Sequence, residues 1–109
     1  MISGQFMEIL THLAEIIAAR RGAPATTSYT ASLLQSGRSR IARKFGEEAI
    51  ELVVASLSED KQEITAEAAD VLYHLLVLLE DAGVTLDELT ELLQQRQAMG
   101  GLEEKASRS

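Results

Sequence analysis

A chain of 109 residues with a net charge of −7 and no cysteine forms one domain with a single modest core. The acidic surface repels nucleic-acid backbones, and the lack of cysteine excludes a disulfide framework and a thiolate metal site. The longest apolar run, Leu75–Leu79, is too short to span a membrane, and the first residues lack the pattern of a secretory signal. We therefore expect a cytoplasmic protein without a nucleic-acid or membrane partner.

Apolar residues recur with helical spacing along most of the chain, which predicts an all-α fold. Gly37 and Gly83 are expected to end helices, and Thr85 begins a capping box for the last one. The predicted helices cover, in chain order, about residues 6–21, 28–37, 39–57, 61–81 and 85–97. A single helical domain is thus expected over residues 1–99, followed by a disordered polar tail at 100–109.

The third and fourth predicted helices each carry an acidic pair whose members lie on one helical face, because they are three residues apart. The first pair is Glu48 and Glu51, and the second is Glu67 and Asp70. The link at residues 58–60 is short enough to make these helices an antiparallel hairpin. Both pairs stand at similar distances from the link, so the four carboxylates should converge at one height.

Both hairpin helices are apolar around nearly their whole circumference, which is typical of helices buried between several partners. On the helix that carries Glu48, the residues Ile50, Val53, Val54 and Leu57 lie on the side opposite the acidic pair. A chain this short cannot cover both sides by itself. We therefore expect the hairpin and its flanking helices to complete a four-helix-bundle core as a homodimer or a higher homo-oligomer.

Carboxylate oxygens without thiolates suit Mg²⁺, with Mn²⁺ as an alternative, and four such ligands can hold one ion or two. The competing interpretation is a solvated acidic surface. The apolar surroundings of the acidic pairs and their matched heights favour the metal site. A di-iron bundle is disfavoured because it needs Glu-x-x-His, and here Ile9 and Val71 stand three residues before His12 and His74.

Basic residues crowd ahead of the first acidic pair, at Arg38, Arg40, Arg43 and Lys44. Lys44, Arg43 and Arg40 are candidate phosphate contacts, because the chain has no glycine-rich phosphate loop. Glu47, next to the ligand face, is the candidate general base that orients or deprotonates the attacking water. The alternative for the basic group is a set of solvated helix residues.

Two further positions remain open on the sequence alone. His74 shares a stripe with Asp70 and, with its neighbour Tyr73, is a candidate support behind that ligand; the alternative is an ordinary core histidine. The segment Ser28–Thr30 offers two hydroxyls and an aromatic ring that could contact a nucleotide. Its position just before a helix favours a capping role instead.

The spacing Glu47-Glu48-x-x-Glu51, then 15 residues, then Glu67-x-x-Asp70 resembles the signature of the MazG-like all-α nucleoside triphosphate pyrophosphohydrolases. Residues that flank the acidic pairs make the resemblance more specific; they lie at 28–30, 44–49 and 67–76. Together with the acidic spacing, these segments make the chain similar to the phosphoribosyl-ATP pyrophosphatase family over about residues 8–97.

That resemblance implies Mg²⁺-dependent hydrolysis of the α–β phosphoanhydride of 1-(5-phosphoribosyl)-ATP, which gives 1-(5-phosphoribosyl)-AMP and pyrophosphate in histidine biosynthesis. It implies a stand-alone enzyme without a fused cyclohydrolase domain, and it makes Lys44 a phosphate contact and Glu47 a supporting residue or general base. The metal ligands that it implies are Glu48, Glu51, Glu67 and Asp70.

Two alternatives stay open. One is a house-cleaning pyrophosphohydrolase that acts on dUTP, dCTP or a damaged nucleotide, since the acidic signature by itself does not choose a substrate. The other is a non-catalytic helical dimerisation module whose acidic residues are merely solvated. Comparing the turnover of phosphoribosyl-ATP with that of a panel of deoxynucleotides tests the house-cleaning alternative. A dependence of turnover or stability on Mg²⁺ would argue against the non-catalytic module.

Overall fold

The computed structural model describes residues 2–99 of the chain, with side chains at 4–98, and every regular element in that range is an α-helix. The helices are α1 (Ile2–Ala19), α2 (Tyr29–Ser36), α3 (Arg38–Ser58), α4 (Lys61–Ala82) and α5 (Leu86–Met99). The predicted all-α class is confirmed. The tail expected at 100–109 lies outside the described residues. None of the five helices is long and apolar enough to cross a lipid bilayer.

Most helix ends lie close to their predicted positions, because their signals are local. Gly37 (φ 97°) separates α2 from α3, and Gly83 (φ 75°) ends α4, both in backbone conformations that favour glycine. The Glu88 N–H donates to Thr85 Oγ1, and the Thr85 N–H donates to the Glu88 carboxylate, both at 3.1 Å. These reciprocal bonds confirm the predicted capping box at the start of α5.

The first helix differs from its predicted bounds at both ends. It begins at Ile2 rather than near residue 6, and it ends at Ala19. The Arg20 N–H is shared between two main-chain oxygens of the preceding turn, a bifurcated arrangement common at helix termini. Arg21, expected in the last turn of the helix, instead lies in the turn that follows and reaches across to α4. That long-range contact is not visible in the local pattern.

Helices α3 and α4 form the predicted hairpin, joined by only two residues. Glu59 takes a left-handed conformation (φ 63°), and the Asp60 carboxylate then caps α4 by accepting from the N–H groups of Gln62 and Glu63. At the open end of the hairpin, Arg38 near the start of α3 pairs with Asp81 near the end of α4. Contacts at both ends fix the helices antiparallel and in one register.

The core lies at the open end of the hairpin, away from the link. Each of α1 to α4 contributes a fully buried aliphatic side chain there: Ile17, Leu33, Ile41 and Val77. Burying a side chain of this size contributes about 1.5–3 kcal/mol to folding. The acidic pairs lie nearer the link than these core residues do on α3 and α4.

Two arginines hold the C-terminal end of α4, where main-chain oxygens lack partners within the helix. Arg21 donates to the Glu80 carboxylate and to the Glu80 main-chain oxygen, both at 2.9 Å. Arg38 donates to the Asp81 carboxylate and, at 3.2 Å, to the Asp81 main-chain oxygen. Arg38 therefore joins α3 to α4. This contact distinguishes it from Lys44, Arg43 and Arg40, which are the candidate phosphate contacts.

We expect Arg38→Ala to lower the free energy of unfolding by about 1 kcal/mol, because it removes a charged hydrogen bond and leaves a helix-end oxygen of Asp81 without its partner. Equilibrium unfolding in urea measures the effect. Arg40→Ala, which removes an exposed arginine from the same helix, is the matched control. Equal losses in the two variants would contradict the role given to Arg38.

Candidate metal centre

Three carboxylates meet between α3 and α4. Glu48 on α3 and Glu67 and Asp70 on α4 each offer an oxygen, and the three oxygens lie within 4.8 Å of one another. A cation with oxygen ligands at about 2.0–2.6 Å separates opposite ligands by about 4–5 Å. The three oxygens are thus close enough together to share a single Mg²⁺ ion or a cation of similar size.

Glu51, the fourth predicted ligand, is not one of the three, but it interacts with two of them. It raises the pKa of both Glu48 and Glu67, through its charge and through side-chain hydrogen bonding. The structure therefore brings the two predicted acidic pairs together at one height on the hairpin. The convergence follows from the i, i+3 spacing on each helix and from the short link between them.

The carboxylates perturb one another strongly. A side-chain hydrogen bond with Glu51, burial, and the charges of Glu51 and Asp70 raise the pKa of Glu48 from its ordinary value of 4.5 to about 7, against the opposing charge of Lys44. Burial is the largest cause that raises the pKa of Glu67, followed by the charges of Glu51 and Asp70. Carboxylates this close together favour the binding of a proton or of a metal cation, because either one reduces the repulsion between them.

One atom in the cluster gives a direct test of fit. Oε2 of Glu48 is buried and has no hydrogen-bond partner among the described residues. Burying a carboxylate oxygen without a hydrogen-bond donor is costly, and the charges of Glu51 and Asp70 beside it add to the cost. A proton or a cation satisfies it. Oxygen ligands from two helices, without sulfur or imidazole, fit Mg²⁺ or Mn²⁺ in number and in hardness.

The predicted phosphate-side residues occupy different positions. Lys44 lies near the cluster, since its charge acts on Glu48, and its Nζ is 3.6 Å from Oε1 of Glu47. The Glu47 side chain is 55% exposed and lies outside the group of three oxygens. Arg40 and Arg43 are exposed on α3, one to two turns before the acidic pair. The structure therefore places Lys44 close to the carboxylates.

His74 is buried, with 5% of its surface exposed. Its Nδ1 lies 2.8 Å from the main-chain oxygen of Asp70, so Nδ1 carries the proton and donates. The contact is therefore to the backbone of Asp70 and not to its carboxylate. On the other side of the ring, Nε2 lies 3.2 Å from the hydroxyl of Tyr29. A hydroxyl–hydroxyl hydrogen bond joins Tyr73 to Thr30.

These bonds give the segment Ser28–Thr30 a role beyond the predicted cap. Ser28 does cap α2, accepting from the Ala31 N–H at 3.1 Å. Tyr29 and Thr30 in addition bind α4 beside Asp70. The sequence gives little sign of this, because Tyr29 meets its partner 45 positions further along the chain.

Comparison with known proteins agrees with the geometry. The chain matches the sequence model of the phosphoribosyl-ATP pyrophosphohydrolase family over residues 10–97. The chain belongs to this family. A protein of Rhodospirillum rubrum named phosphoribosyl-ATP pyrophosphatase is 52% identical over 93% of this chain and 86% of its own length. Proteins of the same name from Paracoccus denitrificans and Paramagnetospirillum magneticum are 48% and 50% identical, over 98% and 96% of this chain and 99% and 96% of theirs.

The match to the phosphoribosyl-ATP pyrophosphohydrolase family covers both the carboxylate cluster and the Tyr29–His74 contact. It confirms the family resemblance that the acidic spacing and its flanking residues predict. The roles of the individual side chains as metal ligands, phosphate contacts or general base stay predictions.

The raised pKa of Glu48 makes the stability of the metal-free protein depend on pH. A carboxyl group whose pKa is higher in the folded state than in the unfolded state stabilises the fold while it is protonated, and this contribution is lost as the pH rises. We therefore expect the free energy of unfolding to fall between pH 4.5 and about pH 7, the ordinary and the raised pKa of Glu48. Urea unfolding in the presence of a chelator at several pH values measures it. A free energy that rises steadily over this interval would contradict the prediction.

Proposed function

We propose that this family member hydrolyses 1-(5-phosphoribosyl)-ATP to 1-(5-phosphoribosyl)-AMP and pyrophosphate, a step of histidine biosynthesis that we place in the cytoplasm. The observation that carries the proposal is the set of oxygens from Glu48, Glu67 and Asp70 within 4.8 Å of one another. The name shared by the similar proteins, phosphoribosyl-ATP pyrophosphatase, supports the choice of substrate.

In this proposal Mg²⁺, as one ion or two and with Mn²⁺ as an alternative, is the cofactor. When bound, it neutralises charge on the phosphate oxygens and activates the attacking water. The residues that would hold it are Glu48, Glu51, Glu67 and Asp70, whose mutual repulsion and whose buried Glu48 oxygen without a donor support this assignment.

The remaining residues act on the substrate and on protons. Lys44, close to the cluster, binds a non-bridging phosphate oxygen and offsets the charge that develops there. Arg40 and Arg43, exposed on the preceding turns of α3, bind phosphates further from the cluster. Glu47 accepts the proton of the attacking water, and its contact with Lys44 orients its carboxylate. The water oxygen bonds to phosphorus, a bridging P–O bond breaks, and pyrophosphate leaves.

We also propose that the protein is a homodimer. Four apolar residues on the side of α3 that faces away from α4 form what we call the α3 seam: Ile50, Val53, Val54 and Leu57, which are 60–79% exposed. Single exposed apolar residues are ordinary, but a stripe at i, i+3, i+4 and i+7 is typical of a helix that packs on another. If a second copy presents the same seam, the two seams cover each other, and the two hairpins together complete a four-helix bundle.

The activity is tested with purified protein and Mg²⁺, by following pyrophosphate release from phosphoribosyl-ATP, ATP, dUTP and dCTP. We expect kcat/KM for phosphoribosyl-ATP to exceed that for each other nucleotide at least about tenfold, and a chelator to abolish release. A preference for dUTP or dCTP would replace the proposed function by a house-cleaning one. Release that is absent or independent of the cation would overturn the enzymatic proposal.

A further inference from the structure

Tyr29 combines a fixed orientation with an open surface. Its hydroxyl is held by Nε2 of His74 at 3.2 Å, and its ring stacks on Tyr73 with centroids 6.2 Å apart and planes 23° apart. The ring also meets His74 edge-on, at 6.0 Å and 74°. Three contacts thus hold the side chain, yet 51% of the residue remains exposed. A tyrosine used only to fill the core would be covered.

This ring stands beside the carboxylate cluster. Its two partners, Tyr73 and His74, follow Asp70 by three and four residues, which places them one turn along the same side of α4. His74 is itself bonded to the main-chain oxygen of Asp70. Only one imidazole ring and two hydrogen bonds separate the Tyr29 hydroxyl from the backbone of a proposed metal ligand.

The chemistry that Tyr29 can offer is restricted by its own contacts. The hydroxyl is engaged with His74, so the part left for a ligand is the uncharged face of the ring. A rigid, uncharged aromatic face binds a flat heterocycle by stacking. In a nucleotide whose phosphates lie at the carboxylates, the base is one ribose away, which matches the position of Tyr29 next to the turn that carries Asp70.

Resting on the proposed function, we propose that Tyr29 is the stacking platform for the purine ring of the substrate. His74 and Tyr73 are then positioning residues, which hold the platform through the hydroxyl and through one face of its ring. The side chain would contribute to substrate affinity and not to the chemical step, so its removal should act on KM rather than on kcat.

The sequence provides a spectroscopic test. The chain has two tyrosines and no tryptophan, so Tyr73→Phe leaves Tyr29 as its only tyrosine fluorophore. We expect AMP with Mg²⁺ to quench this fluorescence in a saturable way, after correction with free tyrosine amide, and pyrophosphate with Mg²⁺ to leave it unchanged. No saturable change with AMP, or equal changes with both compounds, would overturn the platform. The measurement requires binding of a purine nucleotide but no turnover of phosphoribosyl-ATP.

Enzyme kinetics distinguish a tyrosine that stacks on the substrate from one that only anchors α2 to α4. Tyr29→Leu removes the ring and should raise KM for phosphoribosyl-ATP about five- to a hundredfold, with kcat within about threefold of the wild type. Tyr29→Phe keeps the ring and should restore most of the lost affinity, although it removes the bond to His74. Lower thermal stability in both variants with KM unchanged in both would show an anchor only. A wild-type protein without phosphoribosyl-ATP turnover would instead contradict the proposed function.

Discussion

Replacing Glu48 by Gln should lower kcat/KM for phosphoribosyl-ATP at least about a hundredfold and, at the same time, make the metal-free protein more stable at pH 8. The loss follows because a neutral amide is a poor ligand for a hard divalent cation, and even changes to groups behind metal ligands cost about 10–100-fold. The gain follows because Oε2 of Glu48 is buried beside the charges of Glu51 and Asp70, and within the described part of the chain it has no hydrogen-bond partner. The amide nitrogen of Gln would donate to Glu51 or Asp70 and remove a repulsive charge.

Isothermal titration with Mg²⁺, steady-state kinetics and urea unfolding measure the three parts of this prediction. Glu91→Gln, which neutralises an exposed carboxylate on α5 outside the cluster, is the matched control and should change none of them by more than about twofold or about 0.5 kcal/mol. Retained activity in Glu48→Gln, together with unchanged stability, would favour a solvated acidic surface over a metal centre.

Glu47→Gln offers a sharper comparison, because Glu47 lies outside the group of three oxygens and is paired with Lys44. If Glu47 is the general base, kcat falls while the affinity for Mg²⁺ stays close to that of the wild type. If it is instead a ligand, both fall together, as for Glu48.

The sequence predicts those parts of the molecule that depend on local or periodic signals. The hairpin and the meeting of Glu48 with Glu67 and Asp70 follow from helical spacing and a short link, and both appear in the structure. Contacts between helices that no short link joins were not predictable. Arg21, expected in the last turn of the first helix, instead reaches Glu80 on α4, 59 positions further along the chain, and helical periodicity does not place that partner.

The same limit applies to Tyr29, for which the sequence favours a place in a capping segment. A residue before a helix has an obvious local use as part of a cap, and the sequence offers no measure of which distant side chain it will meet. The structure supplies that partner, since the Tyr29 hydroxyl contacts His74 on α4. Packing of α2 on α4, which periodicity cannot place, thus brings the capping segment into contact with the turn of α4 that follows Asp70.

The second large effect is expected at the α3 seam, where Leu57→Glu should convert the proposed homodimer into a monomer. Leu57 is 79% exposed in the single chain, so the substitution costs little within one copy. In a dimer the new carboxylate would be buried without a partner, which costs about 3–5 kcal/mol and would weaken association by more than about a hundredfold.

Sedimentation velocity over a range of protein concentrations measures the assembly. Ser56→Glu is the matched control, because it adds the same charge one residue away, turned by about 100° around the helix and off the seam. A wild-type protein that sediments as a monomer, or equal dissociation in both variants, would contradict the seam. Since Glu48, Glu67 and Asp70 come from one chain, the Leu57→Glu monomer should still bind Mg²⁺. Loss of Mg²⁺ binding in that monomer would instead show that the second copy helps to build the centre.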